Sequence, residues 1–88
     1  MNKTYTLYSD PSHGWLQVQR KELEELNIIN NVSEYSYING EFVYLEEDCD
    51  LNLFIKAYEN KYNVKPIIKE CLQENNGIRL YSRFKKAV

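Results

Sequence analysis

Glycine is scarce in this chain, with three among 88 residues, and the loops that glycine builds are missing with it. There is no phosphate loop, no Gly-x-Ser-x-Gly and no dinucleotide fingerprint. Histidine occurs once, at His13, and the two cysteines, Cys49 and Cys71, make no Cys-x-x-Cys pair. Metal-ligand spacing is thereby lacking. No long apolar run is present, which excludes a membrane-spanning helix. Neither sign of charge dominates: 13 acids against 11 bases leave a net charge of −2, too little for a strong nucleic-acid or membrane field. These gaps disfavour an enzyme, and no cofactor or metal is expected.

The length fits one domain over 1–88, with no room for a second core. A chain this short buries only about 60–65% of its unfolded surface, so shallow surface recognition is easier to build than a deep enclosed site. No signal peptide is read at the start, since Met1-Asn2-Lys3 runs directly into strand-like sequence. The expectation is a cytoplasmic protein with two reduced thiols, either monomer or homodimer.

Residues 4–8 alternate polar and apolar and read as a first strand. Asp10-Pro11-Ser12-His13-Gly14 is a turn, and residues 15–19 give a second strand antiparallel to the first. A short helix follows at about 20–26, with Leu23 and Leu26 on one side and Asn27 as a left-handed stop. Residues 30–33 read as loop. Asn39-Gly40 between two hydrophobic runs is a strong hairpin signal, pairing Ile38 with Glu41, Tyr37 with Phe42, Ser36 with Val43 and Tyr35 with Tyr44. Leu51, Phe54, Ile55, Tyr58 and Tyr62 recur at helical spacing and place the main helix at about 49–62. Asn63 and Pro66 end it. Residues 67–72 read as a strand, 74–77 as a turn and 78–84 as a last alternating strand. The fold class is α+β: a small antiparallel or mixed sheet of four to six strands, packed by one main helix plus a short one.

The hairpin puts Tyr35, Tyr37, Phe42 and Tyr44 on one side and Ile38, Val43 and Leu45 on the other. The expectation is that the aromatic side meets the main helix. Were the aliphatic side to do so, a four-aromatic patch would be left open.

Five acids and no base lie between Glu41 and Asp50, and four bases and no acid between Arg79 and Lys86. The helix macrodipole favours acids at a helix start, with Asp48 as N-cap and Glu46 and Glu47 solvated. Surrounding carboxylates should raise the Cys49 pKa against the dipole, so Cys49 reads as a buried structural thiol and not as a nucleophile paired with His13. Asp10, His13 and Asp50 are ligand types that zinc accepts, a minor metal-enzyme reading. Arg79, Tyr81, Arg83 and Lys85 interleave cations with an aromatic, as single-stranded nucleic-acid binders do.

The blocks Asp10-Pro11-Ser12-His13-Gly14-Trp15-Leu16-Gln17-Val18, Tyr35-Ser36-Tyr37 and Tyr44-Leu45-Glu46-Glu47-Asp48-Cys49-Asp50 resemble a family of small uncharacterised proteins of bacteriophages and mobile elements. The likeness spans roughly residues 4–62. Ser12 stands where that family is expected to carry Gly. The resemblance implies no activity. It implies a small phage protein that binds a host protein or ribonucleoprotein complex and blocks a defence system, as CRISPR inhibitors do. Trp15, Tyr35, Tyr37, Glu46, Glu47, Asp48 and Asp50 are the expected partner-binding residues. Nucleic-acid binding through Arg79, Tyr81, Arg83 and Lys85 is the alternative, and no membrane partner is expected.

Overall fold

The computed structural model describes residues 3–73 and 77–84. Lys85 and most of the expected 74–77 turn lie outside the described residues. The elements in chain order are β1 (Thr4–Ser9), β2 (Gly14–Gln19), α1 (Arg20–Glu25), β3 (Tyr37–Asn39), β4 (Phe42–Glu46), α2 (Leu51–Tyr62), β5 (Ile67–Leu72) and β6 (Ser82–Arg83). Short 3₁₀ turns stand at Ile29–Asn31 and Ile78–Leu80. The strands form one six-stranded sheet in the order β5-β1-β2-β4-β3-β6. Only β1 and β5 are parallel. A parallel return needs a crossover, and α2 supplies it between β4 and β5. The fold is α+β.

Strand alternation decides what each face receives. Tyr5 and Leu7 of β1, Leu16 and Val18 of β2, and Val43 and Leu45 of β4 form one apolar face with Ile38. Phe54 and Tyr58, one turn apart on α2, pack against it, and Tyr5 meets the Phe54 ring edge-on at 5.1 Å. Leu23 of α1, Val32 and Phe84 close the layer. Each such side chain contributes about 1.5–3 kcal/mol by leaving water.

α1 stops where the sequence predicts. Asn27 takes φ +59°, its N–H donates to Glu24 O, and the Ile28 N–H donates back to Leu23 O at 3.0 Å. That is a Schellman closure, and it tucks Ile28 into the core. α2 ends at Asn63, likewise at φ +59°.

Four expectations need correction. Asn39 pairs with Phe42, Ile38 with Val43 and Tyr37 with Tyr44, so the turn residues are Gly40 and Glu41. A slip of two leaves every side chain on its expected face, so hydrophobic pattern alone cannot detect it. Gly40, at φ +64°, leads the turn, and the Glu41 carbonyl accepts the Arg20 N–H at 2.7 Å. Ser36 and Tyr35 consequently fall outside β3.

The second correction concerns the faces. α2 packs on the aliphatic side, and Trp15, Tyr37 and Tyr44 belong to a separate cluster on the opposite face. A helix needs close-fitting apolar side chains beneath it, which Val43 and Leu45 provide without hydroxyls to satisfy.

Third, the expected strand over 78–84 is a 3₁₀ turn followed by two strand residues. Gly77, at φ +75°, bends the chain over the aromatic face. Ile78 is buried on Trp15 and Tyr44, while Leu80 is 89% exposed. The loop expected at 30–33 likewise contains part of a 3₁₀ turn.

Fourth, the acids around the start of α2 exchange roles. Asp50, not Asp48, occupies the cap position. Glu46 is buried and not solvated, whereas Cys49 is exposed and not buried.

Candidate functional site

Two carboxylates of the acidic run are consumed in building the loop. Glu46 Oε2 accepts the N–H groups of Asp48 at 2.7 Å and Cys49 at 2.9 Å, closing the turn that leads into α2. Asp50 reaches the 33–36 loop, accepting the Ser33 N–H and the hydroxyls of Ser33 and Ser36. The Ser36 oxygen in turn accepts the Glu46 N–H at 2.9 Å. Asp50 is 3% exposed, so it holds the surface together and does not present itself there. Glu47 and Asp48 face solvent.

A second network orders the β1–β2 turn. Asp10 Oδ1 accepts the N–H groups of Ser12 and His13, both at 2.8 Å. These two bonds, His13 first, hold the Asp10 carboxyl below its usual range, with Arg79 lowering it further. Arg79 donates to Asp10 Oδ2 at 3.1 Å and approaches His13 Nδ1 to 2.9 Å. A guanidinium only donates, so Nδ1 accepts and the His13 proton sits on Nε2.

Both networks frame one groove of about 330 Å³, lined by His13, Trp15, Tyr35, Tyr37, Glu46, Asp48, Cys49, Arg79 and Arg83. Residues expected for protein binding and residues expected for nucleic-acid binding therefore share a wall. Trp15 contributes to the floor at 3% exposure. The His13 ring stacks on its indole at 5.9 Å, and the Arg79 guanidinium lies over it at 5.3 Å. Arg83 lies 5.4 Å from the Tyr37 ring centroid and donates to the Glu34 carbonyl at 3.2 Å. Tyr35 stands on the rim, 60% exposed.

One buried donor of Trp15 is unpaired. Trp15 Nε1 is covered and lacks a hydrogen-bond partner, the single such buried side-chain atom among the described residues. An unmet buried donor costs about 1–3 kcal/mol.

Several expected residues do not join the groove wall. Asp50 lies behind it, and Tyr81 packs on Tyr44 at 5.1 Å between centroids. Asp10, His13 and Asp50 are not gathered as ligands, and the described residues hold no group of three or more His, Cys, Asp or Glu arranged for a metal. His13 and Cys49 both line the groove but were passed over as contact residues in the sequence. The signal for His13 lay in the Asp10-Pro11-Ser12-His13 turn, whose Asp fixes the loop. Desolvation, then the Glu46, Asp50 and Asp48 charges, push the Cys49 thiol above its usual range, which leaves a poor nucleophile.

No protein-family model matches this chain, and no curated protein or solved structure matches it. No helix among the described residues is long and apolar enough to cross a membrane.

Proposed function

We propose that this chain is a non-catalytic protein that binds a host macromolecular complex stoichiometrically through the Trp15–Arg79–Arg83 groove. The observation that carries this reading is the groove itself, where two arginines lie over two aromatic rings. Aromatic and arginine side chains dominate binding energy at protein contacts. Two acids of the run, Glu46 and Asp50, are engaged with backbone N–H groups and serines. The resemblance to small phage and mobile-element proteins adds the target class: a bacterial defence complex, with the chain as its inhibitor inside the host cell.

The test compares tagged wild-type protein with Tyr35→Ala and Arg83→Glu in capture from nuclease-treated bacterial lysate. The reading expects one stoichiometric complex on the wild type and its loss from both variants. Retention by both folded variants would place the contact elsewhere.

Arg79 and Arg83, each over a ring, also fit a nucleic-acid accessory protein. That alternative expects capture to vanish with nuclease and binding to fall steeply with salt.

A further inference from the structure

We propose that His13 is a proton-operated latch on this groove: the neutral imidazole helps hold the Arg79 guanidinium over Trp15, and protonation in mild acid releases it. The latch needs no ligand, so it stands or falls apart from the binding reading above.

Three contacts make the latch. Arg79 donates to Asp10 Oδ2 at 3.1 Å and to His13 Nδ1 at 2.9 Å, and its guanidinium lies 5.3 Å from the Trp15 ring centroid. His13 itself stacks on that indole, with the two planes 25° apart. A guanidinium has no acceptor and keeps its charge at every accessible pH. Nδ1 therefore engages Arg79 through its lone pair, and the neutral ring carries its one proton on Nε2. A proton taken from solvent has one place to go, which is that lone pair. The imidazolium then turns an N–H and a positive charge toward an N–H and a positive charge. The bond to Arg79 and the proton on Nδ1 exclude each other.

The surrounding charges decide which partner moves. Asp10, in the same turn, has its carboxyl held low and stays ionised throughout mild acid. Glu47, from the loop after β4, brings its carboxylate to the base of the turn, where a Cβ on Gly14 would lie 3.2 Å from Oε2. Glu46 and Asp48 line the groove from the same loop, and Tyr35, Tyr37, Cys49 and Arg83 complete its titratable and charged wall. An imidazolium thus has carboxylates to turn to, whereas Arg79 loses one of its two hydrogen bonds. The bond it retains, to Asp10, belongs to an arginine side chain that is 50% exposed, and surface pairs of that kind hold weakly. Ile78, buried in the same 3₁₀ turn, keeps the backbone in place while the guanidinium swings away.

His13 is the single histidine and Trp15 the single tryptophan, so one titrating ring is read by one reporter. Tryptophan emission and acrylamide quenching are followed on the full chain from about pH 8 to about pH 5.5, the span in which histidine changes charge. The wild type should shift to the red and quench about twofold more readily, in one step with the slope of a single proton. His13→Asn sets an oxygen that does not titrate at the Nδ1 position and should hold one emission maximum throughout; His13→Gln replaces it if it does not fold. Arg79→Gln should start to the red of wild type and shift no further in acid. Imidazole ¹⁵N signals at about pH 8 should show the proton on Nε2. A wild-type emission maximum indifferent to acid, a red-shift step that survives in either variant, or a proton found on Nδ1 in the neutral ring overturns the proposal.

Discussion

The guanidinium of Arg79 lies 5.3 Å from the centroid of the Trp15 indole while bonding both Asp10 and His13. One exposed side chain near the end of the chain thus covers the floor of the groove and fixes the turn at its edge. The groove is lined from strands β2, β3, β4 and β6 and from the loops beside them, and Arg79 ties the 3₁₀ turn at Ile78–Leu80 to the β1–β2 turn.

Arg79→Ala should therefore alter the site more than the stability. An exposed ion pair and a cation–π contact contribute together about 1 kcal/mol. The expected result is a small fall in the urea midpoint with a clear red shift of tryptophan emission as the indole meets water. Unchanged emission would show that Arg79 does not shield Trp15.

Acids in the same run should differ sharply. Asp50→Ala strands two serine hydroxyls and an N–H and should cost about 3 kcal/mol. Glu47→Gln, on an exposed side chain, should stay within about 0.5 kcal/mol. Chemical denaturation of both variants checks the contrast.

Glu22 gives the fold an acid dependence. Burial alone would raise its pKa, but hydrogen bonds from Tyr5, the Gln19 N–H and Lys3 bring it below the ordinary 4.5. The unfolded chain then holds the proton more tightly, so the stabilisation is complete above 4.5 and is lost as pH falls through the lower folded value. Glu22→Gln should be less stable than wild type by about 1 kcal/mol near neutral pH. That gap should close in acid. Urea midpoints measured across the acid range test this, and a gap independent of pH would refute it.

Cys49 should alkylate slowly despite its exposure, since its thiol is pushed up by desolvation and then by neighbouring acids. Iodoacetamide labelling in mildly alkaline buffer should run slower on the folded chain than on the unfolded one. Asp48→Asn should speed it about twofold. Mass spectrometry of the Cys49 peptide gives both rates.

Much of the fold was legible because its determinants are local. Alternation marked β1, short runs of strand-like residues marked β2 and β5, the spacing of Phe54 and Tyr58 marked α2, and Asn27 and Asn63 marked helix ends that a left-handed residue must occupy. The alternation of 78–84, by contrast, yielded only two strand residues. The hairpin faces were also legible, since a two-residue slip preserves them. Its register was not, because Glu41 is held by Arg20 and Ser36 by Asp50, both distant in sequence.

The groove was legible only in pieces. Trp15, Tyr37, Arg79 and Arg83 each stood out by residue type, yet nothing in the sequence joined them. Local sequence determined an α+β chain with an aromatic strand face and two opposed charge runs. Tertiary structure decided that α2 covers the aliphatic side of the hairpin, where Val43 and Leu45 bring no hydroxyls, while in the same layer Tyr5 donates its hydroxyl to Glu22 and the Tyr58 hydroxyl accepts the Lys3 N–H. It decided also that Gly77 turns Ile78 and Arg79 onto Trp15. Local propensity fixes the backbone of each element, but which side chains meet depends on sheet order and crossover, and those arise from contacts far apart in the chain.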